Sequence, residues 1–125
     1  HHPTEIEATM KSVELYDNLT NFNNRIVLWQ PHKYSRTSDN LEGFKKCFRR
    51  CDELIILPLW TVAGEKKIDI DFEKEFASYN PIFADRVVSY KGKIELIKDD
   101  KIIKTYDEGI FLGVGAGDIT YQLRY

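Results

Sequence analysis

Short runs of consecutive apolar residues mark the predicted strands of this chain. The clearest runs cover residues 26–29, 53–59 and 110–114, and a weaker run covers residues 82–84. Runs without alternation are typical of strands whose two faces are both buried, as in a parallel sheet. The first strand should end near residue 30, because Pro31 cannot donate a hydrogen bond to a neighbouring strand.

Between these runs, apolar residues recur every three or four positions, which predicts helices. The predicted helices cover residues 4–17, 38–50 and 71–79, with Ser38 or Asp39 as the cap of the second. A helix of about a dozen residues between two parallel strands makes a βαβ unit with a right-handed crossover. The pattern therefore predicts the α/β class, with a mostly parallel sheet flanked by helices.

A different pattern occupies residues 94–106. Two runs rich in β-branched residues flank the pair Asp99 and Asp100. Strand-like runs around a short polar turn predict a β-hairpin, although a charged helix is an alternative that the composition leaves open.

Composition narrows the class of protein further. The chain has 125 residues, 42% of them hydrophobic and 30% charged, which fits one globular domain. A net charge of -2 favours neither nucleic acid nor an anionic membrane as a partner. No apolar stretch approaches the roughly 20 residues of a membrane span, and the start does not resemble a signal peptide. We therefore expect a cytoplasmic protein.

Cys47 and Cys51 lie four residues apart in the second predicted helix. That spacing places both thiols on one helical face, but a tetrahedral metal needs two further ligands that the neighbouring residues do not supply. We expect ordinary reduced cysteines in or beside the core, and no metal site.

A polar segment follows the first predicted strand. Residues 32–37 hold an imidazole, two cations, a phenol and two hydroxyls. Ligands of open α/β sheets bind at the carboxyl ends of the strands. We therefore expect His32, Lys33 and Arg36 at a ligand mouth, where cations suit a carboxylate or a phosphate. His32 has an alternative role, in which it only hydrogen-bonds the backbone at the strand end.

The loop after the second predicted strand should reach the same edge of the sheet. It contains Ala63, Gly64 and Glu65. Glu65 is a candidate for orienting one of the cations or a substrate amine, although most exposed loop glutamates have no such role.

A glycine pair, Gly115 and Gly117, follows the last predicted strand. Glycines at such a place let the backbone approach a ligand closely. The six-residue dinucleotide fingerprint is not completed, however, so the pair alone does not predict a nucleotide site. The sequence also contains no P-loop, no nucleophile elbow and no closely spaced set of metal ligands.

Three segments together resemble one protein family, and they occur in the family's order. They are His-His-Pro-Thr-Glu at residues 1–5, Gln-Pro-His-Lys-Tyr-Ser-Arg-Thr at residues 30–37, and Gly-Ala-Gly-Asp-Ile at residues 115–119. They resemble the C-terminal domain of the UDP-N-acetylmuramate-L-alanine ligases, within the Mur ligase superfamily. The loop at residues 63–65 is similar as well, so the resemblance covers most of the chain.

This resemblance implies a Rossmann-like domain of a three-domain cytoplasmic enzyme of bacterial peptidoglycan synthesis. In that family ATP activates the carboxylate of UDP-N-acetylmuramate as an acyl phosphate, and the amine of L-alanine attacks it. The N-terminal domain holds the sugar nucleotide, and the central domain carries the P-loop and the Mg²⁺ ligands. ATP and Mg²⁺ are therefore expected in the full-length enzyme, and this chain alone is expected to be inactive.

The resemblance also implies which residues bind substrate. His1, His32, Lys33 and Arg36 match the family's amino-acid site, where the planar fork of Arg36 suits a carboxylate. A second group is implied near the substrate or the nucleotide: Glu65, Gly115, Ala116, Gly117 and Asp118.

Two departures from the family pattern stand out. The family usually has arginine at the position of Lys33, and lysine keeps the charge but loses the bidentate fork. The predicted hairpin at residues 94–106 replaces what is commonly a helix. Two other functions stay open at this point: a sister ligase that attaches another amino acid or a peptide, and a non-catalytic α/β binding module.

Overall fold

The computed structural model of the chain describes residues 3, 6, 8, 11, 25–48, 51–61, 63–90, 93–106 and 110–114. The site predictions for His1 and for residues 115–118 lie outside these residues. The strands are β1 Arg25–Trp29, β2 Glu53–Ile56, β3 Ile82–Phe83, β4 Arg86–Tyr90, β5 Lys93–Lys98, β6 Lys101–Tyr106 and β7 Ile110–Val114. The helices are α1 Tyr34–Asp39, α2 Leu41–Cys47 and α3 Phe72–Glu75, the last followed by a 3₁₀ turn at Ala77–Tyr79.

Four strands form a parallel sheet in the order β3-β2-β1-β7. The central strand, β1, lies between β2 and β7, and α1 and α2 connect it to β2. The predicted strands and the βαβ unit are confirmed, and so is the α/β class.

Both faces of the parallel sheet are buried, which explains why its strands lack alternation. Val27 and Trp29 pack in one core with residues of α2, whereas Ile26 and Leu28 pack in a second core on the opposite face. All four side chains are 1% exposed or less. Full burial on both faces demands an apolar residue at every position.

An aromatic cluster fills the core on the helical face. The Trp29 ring lies 4.9 to 5.9 Å, between centroids, from the rings of Phe44, Phe48, Phe72 and Phe76. Pairs at such distances add to the free energy gained by burial. They fix α2 and α3 against the end of β1.

The second core is covered by an antiparallel sheet of order β4-β5-β6. Its β5-β6 pair is the predicted hairpin, which is confirmed, and the charged-helix alternative is wrong. Asp99 and Asp100 have φ values of 53° and 61°, which suit a tight two-residue hairpin turn. The described helices therefore flank one face of the parallel sheet, and this antiparallel sheet covers the other.

The second predicted helix begins earlier than expected and is divided in two. Ser38 and Asp39 are the last residues of α1 rather than caps, and Asn40 separates α1 from α2. The Asn40 backbone N–H and its side-chain Nδ2 both donate to the Arg36 carbonyl, at 3.2 and 2.9 Å. The backbone bond is an ordinary helical i→i−4 bond, whereas the side-chain bond adds a second donor to the same carbonyl at the end of α1.

The two cysteines are free thiols, as predicted, but they do not share a helix. Helix α2 ends at Cys47, which is buried, and Cys51 lies beyond it, half-buried. The pKa of Cys51 is raised to about 11, chiefly by burial, so this thiol is protonated near neutral pH.

The described residues near the start are helical, in line with the first predicted helix. Ile6 is buried in the core of the helical face. Pro3 is buried too, and a Cβ added at Gly43 of α2 would lie 3.0 Å from the Pro3 Cβ. Glycine at position 43 therefore allows the segment that carries Pro3 to approach α2 closely. None of the helices in the described part of the chain combines the length and apolarity needed to span a membrane.

Candidate functional site

The segments that follow β1 and β2 run side by side at the carboxyl edge of the parallel sheet. The Leu57 N–H donates to the Trp29 carbonyl at 2.8 Å, which continues the pairing past the end of β2. Further along, the Trp60 N–H donates to the Pro31 carbonyl, and the Lys33 N–H donates to the Trp60 carbonyl, both at 2.7 Å. The loop after β2 thus reaches the edge where the sequence predicted a ligand mouth.

Lys33 has a backbone conformation that non-glycine residues seldom adopt. Its φ is 64° and its ψ is 135°. The Lys33 carbonyl accepts hydrogen bonds from the Thr37 N–H at 3.1 Å and from the Thr37 hydroxyl at 2.8 Å. Thr37 is fully buried, so these bonds are shielded from water. Trp60 and Thr37 therefore hold Lys33 from both sides, as is common where backbone strain occurs at a functional site.

Glu65 binds the start of α1 through both of its carboxylate oxygens. Oε1 accepts from the Tyr34 N–H at 2.8 Å and from the Thr61 hydroxyl at 3.2 Å. Oε2 accepts from the N–H and the hydroxyl of Ser35, at 3.3 and 3.1 Å. Burial raises the pKa of Glu65, but the four donated hydrogen bonds outweigh it, so this pKa lies below its ordinary value. The carboxylate is charged at neutral pH.

Two cations stand at the same edge. The side chain of Lys33 is half-buried and that of Arg36 is exposed. Among the salt bridges of the described residues, none includes either cation. Both are therefore available to an anion from outside the described part of the chain.

His32 lies beside these cations and forms a parallel bridge with Trp60. Burial lowers the pKa of His32, and the charges of Arg36 and Lys33 lower it further, against an opposite effect of Glu65. The imidazole is therefore mainly neutral near neutral pH. In that state one ring nitrogen donates a hydrogen bond and the other accepts one.

The structure brings together His32, Lys33, Arg36 and Glu65, as the sequence predicted. The Glu65 carboxylate accepts hydrogen bonds from two backbone N–H groups and two hydroxyls, and its role toward one of the cations or a substrate amine stays a prediction. Sequence reasoning missed the contributions of Trp60 and the Thr37 hydroxyl.

No protein-family model matches the chain. A UDP-N-acetylmuramate-L-alanine ligase of Helicobacter pylori (strain ATCC 700392 / 26695) is 55% identical over 126 residues, which cover 99% of this chain. The ligase of the same name from Campylobacter curvus (strain 525.92) is 48% identical over 124 residues, again 99% of the chain. The chain is homologous to these ligases. A more distant ligase, from Campylobacter jejuni subsp. doylei, is 36% identical over 124 residues.

These ligases are much longer than the chain, which spans 28% of the Helicobacter pylori ligase and 27% of the Campylobacter jejuni one. The similarity seen in three short segments thus extends along nearly the whole chain.

The described part of this chain lacks a cluster of metal ligands. Within its described residues, no group of three or more His, Cys, Asp or Glu side chains could hold a metal ion. The edge described above is instead rich in cations, which disfavours a divalent cation and favours an anion.

Proposed function

We propose that residues 1–125 form the C-terminal, amino-acid-binding domain of an ATP-dependent UDP-N-acetylmuramate-L-alanine ligase. Homology to such ligases along 99% of the chain supports this function. The observation that carries it is the position of Lys33 and Arg36 at the carboxyl edge of the sheet, without a salt bridge among the described residues. The ligase would act in the bacterial cytoplasm, in the peptidoglycan synthesis that underlies cell shape and division.

Arg36 is proposed to bind the carboxylate of L-alanine. Its guanidinium is planar and presents paired N–H donors, which match the two oxygens of a carboxylate. Lys33 adds a second positive charge, and the neutral imidazole of His32 supplies a hydrogen bond. His1 is proposed to complete the site, on the strength of the family resemblance.

Binding the carboxylate would place the amine of L-alanine for attack on the activated carbonyl of UDP-N-acetylmuramate. Correct placement of two reactants can contribute several kcal/mol to catalysis, typically about 7 to 11 in well-oriented model reactions. The chain's own contribution is thus to bind and orient the nucleophile. The acyl phosphate and the amide are formed with groups from elsewhere in the enzyme.

ATP and Mg²⁺ are proposed to bind mainly to the central domain of the same polypeptide, and the sugar nucleotide to its N-terminal domain. Glu65 and residues 115–118 are proposed to lie near the substrate or the nucleotide without holding a metal. Because the sequence has no P-loop, the isolated chain is proposed to be inactive. Purified alone, it should release no phosphate from ATP when UDP-N-acetylmuramate and L-alanine are added.

Steady-state kinetics of the full-length enzyme with Arg36→Ala test the carboxylate assignment. L-alanine and ATP are varied separately at saturating UDP-N-acetylmuramate. Loss of a charged hydrogen bond should raise KM for L-alanine by about 1.5 to 3 kcal/mol, roughly 10- to 150-fold, with little change in KM for ATP.

The matched control is Arg86→Ala. Arg86 lies on the antiparallel sheet, and its guanidinium is 3.9 Å from a carboxylate oxygen of the exposed Asp100. This variant should behave as the wild-type enzyme does. If Arg36→Ala and Arg86→Ala give the same KM for L-alanine, Arg36 does not bind the amino acid.

A further inference from the structure

Helix α1 lacks a cap of its own. Lys33 is its N-cap residue, yet the Lys33 side chain makes no capping hydrogen bond, and the first turn contains no acidic residue. Helices of ordinary proteins usually satisfy their first N–H groups with the N-cap side chain. Here the first two N–H groups of α1 are bound by Glu65, which lies 31 residues from Tyr34 in the sequence.

The Glu65 carboxylate has no hydrogen-bonding capacity left for a substrate. A carboxylate offers about four lone-pair sites. Oε1 and Oε2 each accept two hydrogen bonds, so these four donors fill the lone-pair sites. A substrate amine would have to displace one of them.

We propose that Glu65 is a positioning residue, whose carboxylate fixes the first turn of α1 and thereby the placement of Arg36. This inference rests on the proposed function, and it assigns Glu65 a role in the amino-acid site without contact to the substrate. Arg36 is the third residue of α1, directly after the two residues whose N–H groups Glu65 binds.

The first turn depends on these hydrogen bonds to Glu65 for two reasons. Helix α1 has six residues, and helices this short are unstable without outside contacts. The turn also starts from Lys33, whose positive φ is unfavourable for a lysine. Without the hydrogen bonds to Glu65, the strained backbone at Lys33 could relax more easily. The first turn would then change its position, and the Arg36 guanidinium would shift with it. A displacement of about 1 Å in a positioning group can cost a factor of 100 in rate.

The test uses the full-length enzyme with Glu65→Ala and Glu65→Gln. Glu65→Ala removes all four hydrogen bonds and should raise KM for L-alanine by roughly 10- to 100-fold, with KM for ATP nearly constant. Glu65→Gln should have a smaller effect, because its amide oxygen still accepts but its NH₂ group does not. Glu73→Gln, at an exposed glutamate of α3, is the matched control and should leave both constants unchanged.

Ser35→Ala separates positioning from direct contact with substrate. This variant removes one of the four donors and leaves the Glu65 carboxylate in place. If Glu65 acts through the first turn, Ser35→Ala should raise KM for L-alanine by a few-fold. Combined with Glu65→Gln, its effect should be less than multiplicative, because both variants break the same contact.

The outcomes distinguish this inference from the proposed function. An enzyme that does not join L-alanine to UDP-N-acetylmuramate overturns the proposed function. An active enzyme in which Glu65→Gln and Glu65→Ala leave KM for L-alanine unchanged overturns only the positioning role. An equal rise of KM for both substrates, with a lower melting temperature, also overturns it, since that result indicates a general structural role. If Glu65→Ala does not fold, Glu65→Gln and Ser35→Ala still decide the question.

Discussion

The Tyr106 hydroxyl donates a hydrogen bond to Glu53 Oε1 at 3.2 Å and so connects the antiparallel sheet to the first residue of β2. Lys104 donates to the same oxygen, and its Nζ lies 4.9 Å from the centroid of the Tyr106 ring. Burial raises the pKa of Tyr106, and the negative charge of Glu53 raises it further. The phenol therefore stays protonated and remains a donor.

Tyr106→Phe should weaken the connection between the two sheets. The variant loses a hydrogen bond to a charged acceptor but keeps the ring that fills the core. We expect the free energy of unfolding to fall by about 1 to 2 kcal/mol. Urea denaturation of the isolated chain measures it, with Thr105→Ala, at an exposed residue of the same strand, as the control. Equal stability of Tyr106→Phe and the wild-type chain would contradict this prediction.

Asp100→Gly should stabilise the hairpin. Asp100 has a φ of 61° and its side chain is 97% exposed, so glycine relieves the unfavourable conformation without removing a buried contact. We expect a gain of about 0.5 to 1 kcal/mol in the free energy of unfolding. Asp100→Ala removes the same charge but retains a Cβ, and it should give no gain. Thermal denaturation of both variants separates the loss of charge from the relief of the positive φ. If the glycine variant is no more stable than the alanine variant, backbone strain at Asp100 is not the cause.

Gly64→Ala should destabilise the loop that carries Glu65. Gly64 has a φ of 84°, and among the described residues other than its chain neighbours no heavy atom lies within 4 Å of the position that a Cβ would take. The cost therefore comes from backbone conformation rather than from a clash, and we expect about 1 to 2 kcal/mol. Gly64→Asn should cost less, because asparagine tolerates positive φ better. Chemical denaturation of the two variants tests this order, and the reverse order would show that the conformation is not the cause.

His32 should make the stability of the chain depend on pH. Its pKa in the folded state lies below the ordinary value of 6.5, chiefly through burial and then through Arg36 and Lys33. Below about pH 6.5 the unfolded chain therefore binds the proton more readily, and stability falls as the pH decreases. Well above about pH 6.5 the imidazole is neutral in both the folded and the unfolded chain, so the contribution of His32 to stability is fully present.

His32→Asn should reduce that dependence. Between about pH 7 and pH 5, where an unperturbed imidazole titrates, the melting temperature of the variant should fall less than that of the wild-type chain. Parallel curves for the two proteins would exclude His32 as the group responsible.

The strands were predictable because burial on both faces leaves a continuous apolar run, as in residues 26–29. The hairpin was predictable too, since Asp99 and Asp100 mark its turn. The start of α1 was not, because its cap is supplied by Glu65 across 31 residues of sequence rather than by Ser38 or Asp39. Sequence patterns identify only capping residues that are close to the helix in the sequence, so they cannot predict a cap that comes from a distant loop.

The candidate site, too, was only partly predictable from the sequence. His32, Lys33 and Arg36 were identified because ligands collect at the carboxyl ends of parallel strands. The Glu65 carboxylate accepts four hydrogen bonds only because the loop after β2 lies against the start of α1. The spacing of residues along the chain does not determine the position of that loop. The supporting contacts of Trp60 involve only backbone groups, so no side-chain motif indicates them.

The pairing of β1 with β7 joins Arg25 to Ile110, about 85 residues apart in the sequence. Closing so long a loop is entropically costly, and contacts of large sequence separation slow folding. During synthesis, β1 can pair with β2 early, but its other edge stays open until Val114 has left the ribosome. In this period the exposed edge of an apolar strand is a site for mispairing with other chains, so the rate of translation and chaperone binding should influence the yield of folded protein.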